Sequence, residues 1–352
     1  MSELKNGVER ENHIFSLNNL VFKTEVLTCF NTTLSNYLRI KGIDLSESDI
    51  YFLCGYTNPD STIVNVSQKR FALPYVQFDI LINNLFSDTD TNYEIYFDKE
   101  YQFISLDVNP DTFKDKTVML ALSTAVLNHL LFPTYPDQGT IHCVISSEID
   151  KNKIMKVTDY FNIDSTGKIN VWDGEYAYED IKEGLLGYLN INHLDTQMLE
   201  KKRANLLNYA MKEFEGLVYD TGTHPAGGLG FIEDLFDLYE VESGKDKVSE
   251  QRDIFRMNLM LQAKHLLFFG YTCDLISKYT LKDGENMCQR LREMKYAWQR
   301  VINKLLIQTL AYSRKRTTTI LSEARELIKQ QRELVLELID MYRNEYDITY
   351  NG

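Results

Sequence analysis

The sequence predicts an α+β protein in two unlike parts: residues 1–180, in which helices accompany an antiparallel sheet, and residues 181–352, which are mostly helical. Two observations point there. Between residues 62 and 172, short runs rich in β-branched and aromatic residues recur between turn-forming clusters, the pattern of strands. Beyond about residue 180, apolar residues recur instead at three- and four-residue steps over long stretches, the pattern of helices burying one face.

The elements follow in order. Asn31–Lys41 places Leu34, Tyr37, Leu38 and Lys41 along one side at helical spacing, and Gly42 is a natural stop. A second helix starts at DLSESDI, where Ser46 and Asp49 have capping-box spacing with Asp in the usual place of Glu. Strands are expected at Thr62–Val66, Gln77–Ile82, Tyr93–Phe97, Gln102–Val108 and Thr117–Leu122, then at Ile141–Ile149, Lys153–Tyr160 and Lys168–Trp172. The last three form a meander through turns at Asp150-Lys151-Asn152 and Asp164-Ser165-Thr166-Gly167. Helices are expected at Leu194–Leu217, Gln251–Tyr279, Asp283–Ser313 and Thr317–Tyr346. In the last, the stripe from Ile320 to Met341 is a packing face rather than a regular coiled-coil seam. The Gly-rich interruption at Thr221–Gly230 connects two helices.

Composition narrows the function. The 38 Lys and Arg against 51 Asp and Glu leave a net charge of −13, which disfavours broad nucleic-acid binding. Residues 1–30 lack the apolar core of a signal peptide. The most membrane-like run, Val118–Phe132, is too short to span a bilayer and holds Ser123, Thr124, Asn128 and His129. The five cysteines are widely spaced with no CxxC pair, so neither a disulfide framework nor a structural zinc site is expected. These features fit a cytoplasmic protein with free thiols, no membrane contact and no metal. No P-loop, GxGxxG or HExxH pattern is present.

Three residues carry the candidate chemistry. Cys29 stands just before the first helix, where the helix dipole and unpaired amides favour a thiolate; Thr28 and Asn31 are alternative N-caps. His142 heads one strand and Asp159 lies near the end of the next. A hairpin through Asp150-Lys151-Asn152 sets them opposite each other, close enough for the carboxylate to orient the imidazole. Cys143 points to the other face and reads as core. His224, in the Gly-rich loop, reads as structural or exposed.

These residues carry a resemblance. CFNTTLSNYLRIKGIDLSESDI is similar to the nucleophile helix of bacterial papain-like enzymes, and HCVISSEIDKNKIMKVTDYF resembles their His and Asp strands. LNHLLFPTYPDQGTIH, after the Thr117–Leu122 strand, resembles the proline-containing loop that leads to the catalytic His. The chain most resembles the acyltransferase family of butirosin biosynthesis, whose N-terminal domain is similar to bacteriocin-processing cysteine peptidases. The resemblance implies a papain-like catalytic domain over 1–180 and a helical region over 181–352 that covers the active site.

It further implies Cys29 as nucleophile, His142 as acid/base and Asp159 as orienter. The activity implied is transfer of an acyl or peptidyl group from a carrier-protein thioester through acyl-Cys to an amine or diamine, in nonribosomal natural-product biosynthesis. The protein itself then carries no cofactor, the phosphopantetheine arm belonging to the partner carrier. A cysteine peptidase or amidase with the same triad, or a catalytically dead scaffold, remain alternatives.

The chain departs from that pattern at Lys23, where papain-like proteases carry the oxyanion-hole Gln. Besides the Cys29 amide, Lys23, Thr24 or Asn31 are left as candidate oxyanion donors. Removing one such donor typically costs about 10²–10³ in rate. A thioester, with its better leaving group, tolerates the loss more easily than a peptide. Gly227 and Gly228 are candidates for roofing the substrate, and Glu175 and Glu179 for holding a diamine's distal ammonium. Lys201-Lys202-Arg203 and Arg314-Lys315-Arg316 are candidate docking clusters for an acidic carrier.

Overall fold

A computed structural model describes residues 29–55, 62–63, 75–76, 78–97, 105–130, 141–163, 168–219, 228–241, several helical positions between 247 and 261, 265–279 and 281–346. Helices α1 (Cys29–Ile40), α2 (Glu47–Cys54) and α3 (Phe78–Phe86) accompany the two-residue strands β1 (Thr62–Ile63) and β2 (Tyr75–Val76). Six longer strands follow: β3 (Asn92–Phe97), β4 (Val118–Ser123), β5 (Ile141–Ile149), β6 (Ile154–Ile163), β7 (Ile169–Ala177) and β8 (Leu185–His193). They form one antiparallel sheet in the order β3-β8-β4-β5-β6-β7. The one-turn helix α4 (Tyr178–Ile181) joins β7 to β8. Beyond β8 come α5 (Thr196–Ala204), α6 (Leu206–Val218), α7 (Leu229–Val241), α8 (Leu267–Lys278), α9 (Gly284–Leu310) and α10 (Arg314–Tyr346).

Side-chain alternation divides the sheet's two faces. Met119, Cys143, Ile145, Leu189 and Ile191 join Leu34, Tyr37 and Leu38 of α1 in the larger core, which continues through Phe52 and Phe214 to Trp298 and Tyr342. Val118, Leu120, Val144, Met155 and Val157 face the other way, under Phe113, Leu127, Tyr178 and Ile181. Helix α1 is therefore sandwiched between the sheet and the C-terminal helices. That position explains why its polar residues are buried, and each is satisfied. Thr33 Oγ1 donates to Cys143 O (3.0 Å), Ser35 Oγ to Leu45 O (2.6 Å), and Thr32 Oγ1 to Glu47 Oε1 (3.0 Å). Gly42, at φ 105°, turns the chain out of α1, and the Ser46–Asp49 capping box starts α2.

The expected meander is present, but two local readings and the boundary are corrected. Gln77–Ile82 is not a strand: Phe78–Phe86 is helical because Leu81, Ile82, Leu85 and Phe86 bury one helical face. Of the strand expected over Gln102–Val108, the described residues 105–108 are not a strand either, although Leu106 N donates to Leu185 O. The switch to helix does not fall at 180. Leu185–His193 is a strand, inserted between the edge strand β3 and β4, so residues 1–180 lack an interior strand of their own layer. The stripe from Ile320 to Met341 is a packing face, against α6, α7 and α9. The Asp164–Gly167 turn lies outside the described residues.

Candidate active site

Cys29 is the first residue of α1, not two residues ahead of it. The peptide dipole and the Cys29 amide therefore act at the sulfur itself. Cys29 is half-buried, and its thiol lies 3.9 Å from the Ile141 carbonyl at the head of β5. One turn on, Thr33 bonds the Cys143 carbonyl, so α1 lies along the first residues of β5. The next two residues of that strand, His142 and Cys143, both act on the Cys29 thiol.

His142 uses Nε2 to meet Asp159 Oδ2 at 2.8 Å, which leaves Nδ1 for Cys29. The two strands reach this contact in a different register from the one expected. Ile145 pairs with Thr158 and Ser146 with Val157, which sets His142 diagonally across from Asp159 rather than directly opposite. The diagonal still lies within side-chain reach. A bulge between Asp159 and Asn162 bends β6 at this point. Asp159 is 0% exposed, and its Oδ1 accepts the Phe161 amide at 2.8 Å.

The electrostatics favour an ion pair. The Cys29 thiol is held well below its ordinary value, first by the hydrogen bond from Cys143 and then, against the cost of burial, by the hydrogen bond and charge of His142. Burial would lower the His142 pKa, but hydrogen bonds to Asp159 and Cys29, and their charges, raise it to about 10. Burial would raise Asp159, yet hydrogen bonds from His129 and His142 bring it down to about 2. These shifts favour the thiolate and the imidazolium, the latter held by a buried carboxylate. Such a site can attack an electrophilic carbonyl and then pass a proton to the leaving group.

Two neighbours add to the sequence reading. Cys143 is fully buried in the core, as expected, and also pulls the Cys29 thiol pKa down. His129 falls in the apolar Val118–Phe132 run, yet its Nε2 also meets Asp159 Oδ2, at 2.9 Å. The sequence signal for His129 is weak: a second His thirteen residues before His142, with Trp172 and Tyr176 on one face of β7.

The other expected residues that are described make their contacts elsewhere. Asn31 is inside α1 rather than capping it, and its amide donates to Tyr271 OH (3.3 Å). Glu175 is exposed on the face of β7 opposite Trp172 and Tyr176, and Glu179 is paired with Lys182 (2.6 Å). Both sit toward the Asp150–Lys153 end of the sheet. Gly228 is buried at the start of α7. Lys202, expected on a docking surface, is buried and donates to Asn84 O, Leu85 O and Ser87 Oγ. Its neighbour Arg203 bonds Asp44 O and Glu200, and Arg314 bonds Glu240 O. Lys23, Thr24, Thr28, His224 and Gly227 lie outside the described residues.

Among the described residues, no His, Cys, Asp and Glu cluster is arranged to hold a metal ion, and no helix is long and apolar enough to cross a membrane. No protein-family model, curated protein or solved structure matches the chain.

Proposed function

We propose that the protein is a papain-like cysteine acyltransferase. It takes an acyl or peptidyl group from the phosphopantetheine thioester of a carrier protein and passes it, through acyl-Cys29, to an amine or diamine. One observation carries the reading: a thiol at the first turn of a buried helix lies against the head of the strand whose next residue is an imidazole held by a buried carboxylate. Nucleophile helix, His strand and Asp strand follow in the order of the papain-like pattern.

The steps balance on these groups. The Cys29 thiolate attacks the thioester carbonyl, and the Cys29 amide, at the start of α1, donates to the developing oxyanion. The carrier thiolate leaves and takes the proton of the His142 imidazolium. An amine then attacks acyl-Cys29, His142 accepts its proton, and the amide departs as the thiolate and imidazolium reform. Asp159 keeps the Nε2 proton on His142 throughout, so Nδ1 is the atom that exchanges protons. A thioester suits a site in which Lys23 stands where a peptidase would place Gln, because its carbonyl needs less oxyanion stabilisation. The cytoplasm, where thiols stay reduced and carriers operate, suits a nucleophile of this kind.

The test is the intact mass of the full chain after mixing with a panel of acylated carrier proteins. A covalent acyl adduct, absent in Cys29→Ala and discharged as amide only when an amine is added, is the expected result. Discharge to free acid without amine identifies a hydrolase, and the lack of an adduct with every donor overturns the reading.

A further inference from the structure

The Asp159 carboxylate serves two imidazoles. Oδ2 accepts from His142 Nε2 at 2.8 Å and from His129 Nε2 at 2.9 Å, and both rings are almost fully buried. An ionised carboxylate only accepts, so each ring must carry its proton on Nε2. That leaves His129 Nδ1 to be held by Tyr176 OH at 2.6 Å. Burial raises the Tyr176 pKa, which keeps its hydroxyl protonated and able to donate to Nδ1. The Trp172 indole lies flat on the His129 ring, centroids 3.8 Å apart and planes 6° from parallel. Gly174 makes room for this, because a Cβ there would fall 2.2 Å from the Trp172 ring.

Two side chains from one strand thus fix the plane and the tautomer of a second histidine whose free N–H is spent on the candidate orienting carboxylate. A simple packing role would require neither.

We propose that His129 is a positioning residue: clamped by Trp172 and Tyr176, it locks the Asp159 carboxylate in the orientation that His142 uses, so the working chain is Cys29–His142–Asp159–His129. This deepens the acyltransfer reading and rests on it for its chemistry, but not for its test. Asp159 is faced by His142 from β5, by His129 from the segment after β4 and by the Phe161 amide of its own strand. Tyr176 of β7 acts on it through His129, and Cys29 of α1 and Cys143 of β5 lie beyond His142. Of the groups that favour the ionised Asp159, the His129 hydrogen bond counts most and burial opposes it. Removing that donor lets the buried carboxyl take a proton at higher pH. His142 then loses its partner, and the Cys29 thiol regains its proton at higher pH as well.

The experiment follows iodoacetamide alkylation of Cys29 against pH, by peptide mass mapping, in the wild-type chain and in His129→Leu, His129→Gln, Tyr176→Phe and Gly174→Ala. A hydrogen bond to a charged group corresponds to about one to two pH units. His129→Leu should shift Asp159 by about that much and move the acid-side midpoint of Cys29 alkylation up with it, by a smaller amount. His129→Gln, which keeps an N–H at nearly the same place, should restore most of it. Tyr176→Phe and Gly174→Ala should move it less, in the same direction. Unchanged midpoints overturn the proposal. So does an equal, pH-independent loss in the Leu and Gln variants, which is what packing alone would give. Should His129→Leu fail to fold, the other three variants still decide. A wild-type Cys29 that alkylates with this profile but accepts no acyl group defeats the acyltransfer reading and leaves the His129 comparison intact.

Discussion

Replacing Asp159 by Asn keeps the side-chain shape and removes the charge, so it isolates what the buried carboxylate does for His142. The fold raises His142 from an ordinary 6.5 to about 10. At about 1.4 kcal/mol per unit, that is a net preference for the imidazolium of roughly 5 kcal/mol, supplied by Asp159 and Cys29 against the cost of burial. Asp159 supplies part of that through its hydrogen bond and its charge, so the His142 pKa falls in the variant.

The sign follows from the raised value. The imidazolium is present below the folded pKa and is lost as pH rises through it. The wild-type alkaline limb should therefore fall near pH 10, and that of Asp159→Asn at lower pH. On the alkaline side this alone costs up to about tenfold for each pH unit by which the limb moves, because the imidazolium fraction falls in proportion. Below pH 7 a smaller loss from poorer ring orientation remains. The assay is the rate of acyl-enzyme formation from a small acyl thioester, followed by intact mass between pH 5 and 10.5. An Asp159→Asn variant with the wild-type alkaline limb would refute the argument, whatever its absolute rate.

Other outcomes follow from the same geometry. Near neutral pH, iodoacetamide should label Cys29 ahead of Cys54, Cys273 and Cys288, whose thiols burial pushes up, Cys273 to about 12. Peptide mapping showing uniform slow labelling would contradict the ion pair. Cys143→Ala, which removes the strongest influence lowering Cys29, should slow that labelling at pH 6–7, and Cys143→Ser, which keeps a donor, should slow it less. Asp159 sits at about 2 in the fold against an ordinary 3.8, so it contributes stability above 3.8 that is lost as pH falls through 2. The amount is about 2 kcal/mol. In urea unfolding the gap between wild type and Asp159→Asn should shrink over that window; a constant gap would count against it. A chain ended at residue 180 lacks β8, and with it the shared neighbour of β3 and β4, so circular dichroism should show it unfolded or collapsed.

The parts of the fold that the sequence revealed are those in which one local pattern decides the outcome. Ile141–Ile149 is a strand to the residue, and Gly42 and the Ser46–Asp49 box end and start helices as their chemistry dictates. The errors lie where tertiary context decides. Leu185–His193 has buried residues on both sides and so lacks the alternation of a half-exposed strand; beside a helical region its apolar run merges into that texture. Phe78–Phe86 begins with residues suited to either state, and its helical stripe shows only when Leu85 and Phe86 are included.

The candidate site divides the same way. Cys29, His142 and Asp159 are legible because a helix start and one hairpin suffice to bring reactive residue types together, and a register two residues off still leaves them within diagonal reach. His129 is not. Strand alternation correctly assigns Cys143 to the core, and from there it also acts on the Cys29 thiol. His129 lies in a segment without regular structure, and its role depends on a tryptophan and a tyrosine more than forty residues away that face it only once β7 has paired with β6. A side chain that acts through a carboxylate leaves no mark in local spacing. It becomes visible only when the acceptor's full set of donors is counted, and at Asp159 that count comes to two imidazoles and a backbone amide.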